Sequence, residues 1–444
     1  MSTKKICLIA ALVFILASCR NQVAVHQPGD FNHSEFNFSG AFESFWNGVH
    51  RYYAFWDIEP LDYWDEVWDT YKPRFNKLQA RLERGETIHT LLAEAHRYFE
   101  DFLSPLRDGH LTVQFHHNLP IIDPGFNRIT DRFSGLTANN NPRRAFFAST
   151  WSGTPFTANP DYHNFNFWEY TIRNYVTMNA KSYPSNPGSI SAHAVPDSVF
   201  RIATGHIPYS GGGFILYFYF SEFFLSGYTY EDEVYRIIMQ YLTDIAAPNL
   251  RGVIIDLRGN TGGCNLEIDL ILNRLIHQQL RFAYTRCNRG INRLDHTAWT
   301  PYYITPHPNP AERVQNDVPV VALIDDFSIS CAELAAMAIS RMPRGYLIGT
   351  RTFGATVLRS SDVSAALNGS SFIHLPGTTL WSTVIMTGSQ TRNAEHRNYE
   401  GVGVLPNLTI EFNWAEFYGN GNGSGRDRQL LAAIRHIDPA YIGP

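Results

Sequence analysis

The chain is 444 residues long, with 44% hydrophobic and 17% charged side chains and a formal net charge of -5. Such a length exceeds one ordinary core and implies two or three domains. The balance excludes a disordered chain, and the lack of a basic patch speaks against a nucleic-acid partner. Aromatic residues reach 14%, read as core, because burial is the usual use of rings.

Lys4 and Lys5 precede an apolar run, Ile6 to Leu16, that is too short to span a bilayer as a mature helix. Leu16-Ala17-Ser18-Cys19 comes next and resembles a bacterial lipobox. Residues 1–18 are therefore expected to be a signal peptide and Cys19 the lipid carrier, placing the chain on a membrane of the cell envelope. Cys264, Cys287 and Cys331 then remain, an odd number with no disulfide framework and no CxxC metal pattern.

Residues 19–37 are polar, with Pro and Gly, and read as a tether. Residues 38–117 read as a helical bundle. Phe42, Phe45, Trp46 and Val49 mark one helix. Trp64, Val67, Trp68 and Tyr71 mark a second, with Pro73 following, and residues 87–102 a third. Residues 118–199 are rich in Asn, Pro, Ser and aromatics and read as an irregular or β-rich insertion or cap. Residues 200–444 alternate strand and helix, which predicts an α/β core. Strands are expected at 214–220, 252–257, 318–324 and 346–349, and helices at 234–245, 266–280, 331–342 and 427–437.

Two segments carry chemistry. In Asp325 to Glu333 a strand ends, a turn intervenes and a helix begins near Ser330. A serine there sits at the positive end of the helix dipole, the placement of a nucleophile. The plainer reading is that Ser330 or Ser328 caps the helix. Glu333, in the first helical turn, reads as a structural charge facing the dipole. Asp256-Leu257-Arg258-Gly259-Asn260-Thr261-Gly262-Gly263 also joins a buried strand to a helix. Its glycines can turn backbone N–H groups toward a ligand. Gly262 or Gly263 can then supply one oxyanion donor, and Cys331, after the serine, another. The segment lacks the Gly-Lys-Ser/Thr of a nucleotide loop.

These segments resemble the C-terminal processing (tail-specific) peptidase family. So do Gly349-Thr350-Arg351-Thr352-Phe353-Gly354 and Glu400-Gly401-Val402-Gly403-Val404-Leu405-Pro406-Asn407, where Asn407 replaces an Asp. The resemblance covers about residue 200 to the end and implies a mixed α/β, crotonase-like core of ββα repeats with a serine nucleophile. Best-known members place a lysine base directly after Thr-Phe-Gly. Here that residue is Ala355, and no lysine occurs after Lys181. The sequence is in this respect similar to the tricorn-core branch, whose serine works with a histidine and a supporting glutamate. Arg107-Asp108-Gly109-His110 matches that histidine, making His110 the expected base, and Glu400 matches the glutamate. Glu400 would orient the imidazole directly or through a hydroxyl, with Ser328 as one bridge. His396 is a spare base and Cys331 a rival nucleophile.

The resemblance implies hydrolysis of a polypeptide by acyl transfer, with no metal or organic cofactor. With an ordinary histidine, activity would fall as pH drops through roughly 6.5. No Gly-Leu-Gly-Phe-type loop lies between Val113 and Phe200, so recognition of C-terminal tails is not carried over. Two rival readings remain: a ligand- or peptide-binding lipoprotein on the same fold, as in interphotoreceptor retinoid-binding modules, and a glycan-binding surface lipoprotein.

Overall fold

A computed structural model of the chain describes residues 38–60, 62–103, 105–115, 132–134, 177–182, 202–228, 232–290, 292–357, 382–385, 387–413 and 426–443. The expected signal peptide, the Cys19 anchor and the tether lie outside these residues. Of the 118–199 insertion only 132–134 and 177–182 fall within them, both as strands. No helix among the described residues is long and apolar enough to cross a membrane.

The chain divides into two compact units. The first comprises Met1–Ala138, Arg286–Ala298 and Arg359–Gln390. It contains helices α1 (Phe38–Tyr52), α2 (Tyr63–Glu83) and α3 (Ile88–Leu103). It also holds a small antiparallel sheet of β1 (Thr112–Phe115) between β2 (Arg132–Ser134) and β11 (Ser382–Ile385). The apolar faces of the helices meet through rings. Phe42 stacks on Phe75 at 4.7 Å between centroids, and Phe45 meets Phe99 edge-on at 4.8 Å. Phe42, Phe45, Trp64, Phe75, Phe99 and Phe102 are all buried, so these aromatics form a core. Helix α2 runs through Pro73 rather than stopping before it.

The second unit is Asn139–Thr285, Trp299–Leu358 and Thr391–Pro444. Its strands are β3 (Thr177–Ser182), β4 (Ile202–Pro208), β5 (Phe214–Phe220), β6 (Leu250–Asp256), β7 (Leu280–Cys287), β8 (Thr300–Ile304), β9 (Val320–Ile324), β10 (Gly345–Gly349) and β12 (Leu408–Thr409). Its helices are α4 (Glu233–Asp244), α5 (Leu266–Leu272), α6 (Cys331–Ser340) and α7 (Arg428–Ile437). Seven strands form one sheet in the order β12-β10-β9-β6-β5-β4-β3. Pairing is parallel from β12 to β5 and antiparallel from β5 to β3. This is a mixed α/β architecture with a mainly parallel sheet.

Parallel strands covered on both faces read as continuous apolar runs, and β5, Phe-Ile-Leu-Tyr-Phe-Tyr-Phe, is buried at every position. Phe214, Leu216, Phe218 and Phe220 join the core shared with α4, α5 and α6. Ile215, Tyr217 and Tyr219 join the core under α7. Helix α5 stops at Leu272, short of the expected residue 280, and β7 begins there instead. The physical reason is tertiary. The carbonyls of Asn273 and Arg274 accept from the N–H groups of His307 (2.9 Å) and Val314 (2.8 Å), which draws the chain out of the helix.

A fully buried arginine ties the sheet to α7. Arg258, just past β6, donates through Nη2 to Asp256 Oδ2 (2.6 Å) and Asp427 Oδ2 (2.8 Å), and through Nη1 to Gln429 Oε1 (2.9 Å). Asp427 also caps α7, accepting from Leu430 N–H at 3.0 Å. Removing one partner of such a buried set strands the others, so Arg258→Leu is expected to cost about 3–5 kcal/mol. The measurement is the urea midpoint of the full chain, and an unchanged midpoint would contradict this account.

Candidate active site

Strands β6 and β9 are parallel neighbours, and the loops leaving their C-terminal ends lie side by side. Open α/β sheets bind ligands at that end. Asp325, closing β9, holds both loops. Its Oδ1 accepts from Gly259 N–H (3.1 Å) and Phe327 N–H (3.0 Å). Asn260 adds a second tie. Its Nδ2 donates to Phe220 O (2.8 Å), and its carbonyl accepts from Ile329 N–H (2.9 Å).

Ser330 stands at the start of α6 with φ 56° and ψ -114°. Ser330 is the N-cap of α6, in a capping box with Glu333, but an N-cap ordinarily has extended backbone, so capping by itself does not account for this conformation. A non-glycine residue at positive φ costs roughly 1–3 kcal/mol and persists only where its surroundings impose it. Here Glu333 imposes it. Its buried carboxylate accepts from the N–H groups of Ser330 (3.1 Å), Gly354 (2.7 Å) and Ala355 (2.6 Å) and from the Thr352 hydroxyl (2.5 Å). Burial foremost raises this carboxyl to about 7, against the pull of the donors. Glu333 is thus the joint between the serine turn and the Thr-Phe-Gly segment, a role beyond the dipole partner expected from sequence.

Gly262 has φ 91°, and a Cβ there would lie 2.6 Å from Ser330 Cβ, 2.8 Å from Ile329 O and 3.0 Å from Cys331 N. Only glycine lets the two loops approach this closely. Its N–H, however, donates to Asn260 Oδ1 at 2.9 Å. The expectation of an oxyanion donor at Gly262 is therefore corrected: this glycine provides room, and its donor is occupied. Gly263, the other candidate, is exposed. Its strip is pinned by Phe223 N–H to Gly262 O (2.7 Å) and Cys264 N–H to Phe223 O (2.8 Å).

Ser328 is also corrected. Its buried hydroxyl donates to Leu257 O (2.8 Å) and accepts from Asp325 N–H (3.0 Å), so it locks the turn and is not a bridge. Glu400, 2% exposed, accepts instead from Thr356, at 2.7 Å from the N–H and 3.2 Å from the hydroxyl. Sequence reasoning missed Thr356. The signal was a hydroxyl two residues beyond Thr-Phe-Gly. Asn407, the departure from the Asp of the pattern, binds the Leu347 backbone in both directions, at 2.8 and 2.9 Å. His396 is exposed and stacks on Tyr284 at 4.3 Å.

His110 belongs to the first unit. Its turn is built on buried Asp108, whose Oδ1 accepts from His110 N–H (2.8 Å) and whose Oδ2 accepts from Thr387 N–H (2.9 Å) and hydroxyl (3.0 Å). Desolvation holds the imidazole low, at about 4 rather than 6.5.

Residues 217–410 match the family described as Peptidase family S41. The matched residues include β6, β9, β10 and both serine-site loops. The chain is similar to a crystal structure from Parabacteroides merdae provisionally named a peptidase, with 18% identity, TM-score 0.56, and coverage of 91% of this chain and 97% of that one. At that identity the likeness is one of fold. Partial likenesses include a Bacteroides fragilis protein provisionally named an S41 protease, with 21% identity over 52% of this chain and 56% of that one, at TM-score 0.37. The photosystem II D1 C-terminal processing protease is another, with 15% identity over 49% and 53% at TM-score 0.33. No curated protein matches the sequence. The likeness to Peptidase family S41 thus extends over a little under half of the chain.

Gly262→Ala is expected to be at least 1–3 kcal/mol more destabilising, roughly, than Gly212→Ala. Both glycines have positive φ, but nothing lies within 4 Å of a Cβ at Gly212. Chemical denaturation of the two variants checks this. Equal losses would show that Gly262 matters for its φ alone.

Proposed function

We propose that the chain is a serine peptidase of the cell envelope, tethered through lipid on Cys19, that cleaves polypeptides on a crotonase-like core of ββα repeats. Ser330 is the nucleophile, His110 its general base and Glu400 the supporting carboxylate. The observation that carries the reading is Ser330 at φ 56° on the first turn of α6, against Gly262, inside the S41-matched segment. A strained strand-turn-helix serine is the placement that exposes a nucleophile.

In this mechanism neutral His110 takes the Ser330 proton as Oγ attacks the scissile carbonyl. The N–H groups of Cys331 and Gly263 receive the developing oxyanion, aided by the α6 dipole. The imidazolium then protonates the leaving amine, and water, activated by the same histidine, releases the acyl group. Support for His110 comes from the sequence: Asp-Gly-His stands where a lysine-free branch places its base, and Ala355 occupies the lysine position. Thr356 is the hydroxyl through which Glu400 would act.

The reading is tested by a fluorophosphonate probe on the full chain, with the label mapped by mass spectrometry. Label on Ser330 is expected, lost in Ser330→Ala and slowed by about 10²–10⁴ in His110→Ala. A wild-type chain that stays unlabelled would overturn it.

The pH profile adds a second check. The neutral imidazole is the active form, so a pKa lowered to about 4 extends activity toward acid. Labelling is expected to stay level from about pH 8 to 5 and fall below that, in place of a fall through 6.5. A midpoint near 6.5 would assign the proton to a group other than His110.

A further inference from the structure

The mechanism leaves two thiols unused beside the serine. Cys331 is 3% exposed, and its Sγ donates to the carbonyl of Gly263 at 2.9 Å. The next residue along that strip is Cys264, which is partly exposed and has a free thiol. A carbonyl oxygen and the following Cα are about 2.8 Å apart in a trans peptide. Cys331 Sγ therefore lies within roughly 5.7 Å of Cys264 Cα, which makes the two cysteines close neighbours. The two sulfurs also sense each other: after burial, the Cys264 sulfur is the next influence raising the Cys331 thiol.

We infer that Cys264 and Cys331 are an oxidation site, closed to a disulfide by a small-molecule disulfide such as oxidised glutathione, and that closing it silences Ser330. The second half rests on the serine reading above; the first does not. Partly exposed Cys264 reacts first. Its thiolate attacks one sulfur of the oxidant, breaking that S–S bond and releasing one thiol. Cys331, as thiolate, then attacks Cys264 Sγ and expels the second thiol. The two protons lost by the protein thiols end on the two released small-molecule thiols, so two protein thiols are oxidised and one small disulfide is reduced to two thiols with no net proton released. The new bond pulls Cys331 Sγ off the Gly263 carbonyl. It also ties that strip to the first residue of α6, which adjoins Ser330 and carries a proposed oxyanion donor. Because the Cys331 thiol is pushed up to about 12, the second step is slow and quickens as pH rises.

The test oxidises the full chain with oxidised glutathione, maps peptides without reduction, and tracks fluorophosphonate labelling before and after dithiothreitol. A Cys264–Cys331 linked peptide is expected, with labelling reduced at least tenfold and restored by dithiothreitol. In Cys264→Ser, neither the link nor the loss should appear. Glutathione retained on Cys264, or no sulfur modification at all, sinks the disulfide. A link with unchanged labelling sinks the switch. A reduced chain that never labels overturns the serine reading, while a mapped link still upholds the oxidation site.

Discussion

The serine turn depends on one buried carboxylate. Four donors from two chain segments converge on Glu333. Unsatisfied buried N–H groups are expensive. The cheapest arrangement for the Gly354 and Ala355 amides is therefore the one that also fixes Ser330 N–H, and with it the unusual φ. Thr352 extends the tie, since its hydroxyl accepts from Val404 N–H at 2.7 Å. Val404 closes the segment that begins at Glu400, so Glu400 and Ser330 share one hydrogen-bonded frame.

Beneath this frame lies the charge set of Arg258. Buried ion groups often add little net stability, and here their use is positional. Asp256 ends β6, Arg258 opens the glycine loop, and Asp427 starts α7, so a single guanidinium fixes where three elements meet. Asp325 and Asn260 then fix the second loop relative to the first, and Glu333 ties that second loop to the segment around residue 354. Polar groups orient the site, and the apolar runs of β5, β6 and β9 hold the sheet that presents it.

The α/β core was legible because buried parallel strands and amphipathic helices leave distinct periodicities, as in Phe214–Phe220 and Arg428–Ile437. The end of α5 was not, because it is set by carbonyls of Asn273 and Arg274 bonding to the distant residues His307 and Val314. At the site, the serine and glycine segments were visible as strand-turn-helix texts. What could not be read was which polar atom faces which partner. Gly262 and Ser328 look like functional donors in sequence, but Asn260 and Leu257 claim them. Glu333 looks like a helix-end charge, yet it is a hub because three of its partners come from the segment around residue 354.

The same local physics decides between the two adjacent nucleophiles. A thiol attacks as thiolate, and the Cys331 thiol is buried, held by the Gly263 carbonyl and pushed up to about 12. At neutral pH almost none of it is ionised. Its side chain belongs to the core of α6, where Cys331 packs with Ala332 and Leu334. Ser330 is the residue that the turn leaves partly exposed. A serine needs no prior ionisation, only a base that accepts its proton during attack. The fold thus withdraws the intrinsically better nucleophile into the core and leaves the hydroxyl partly exposed, the arrangement that the proposed serine mechanism needs.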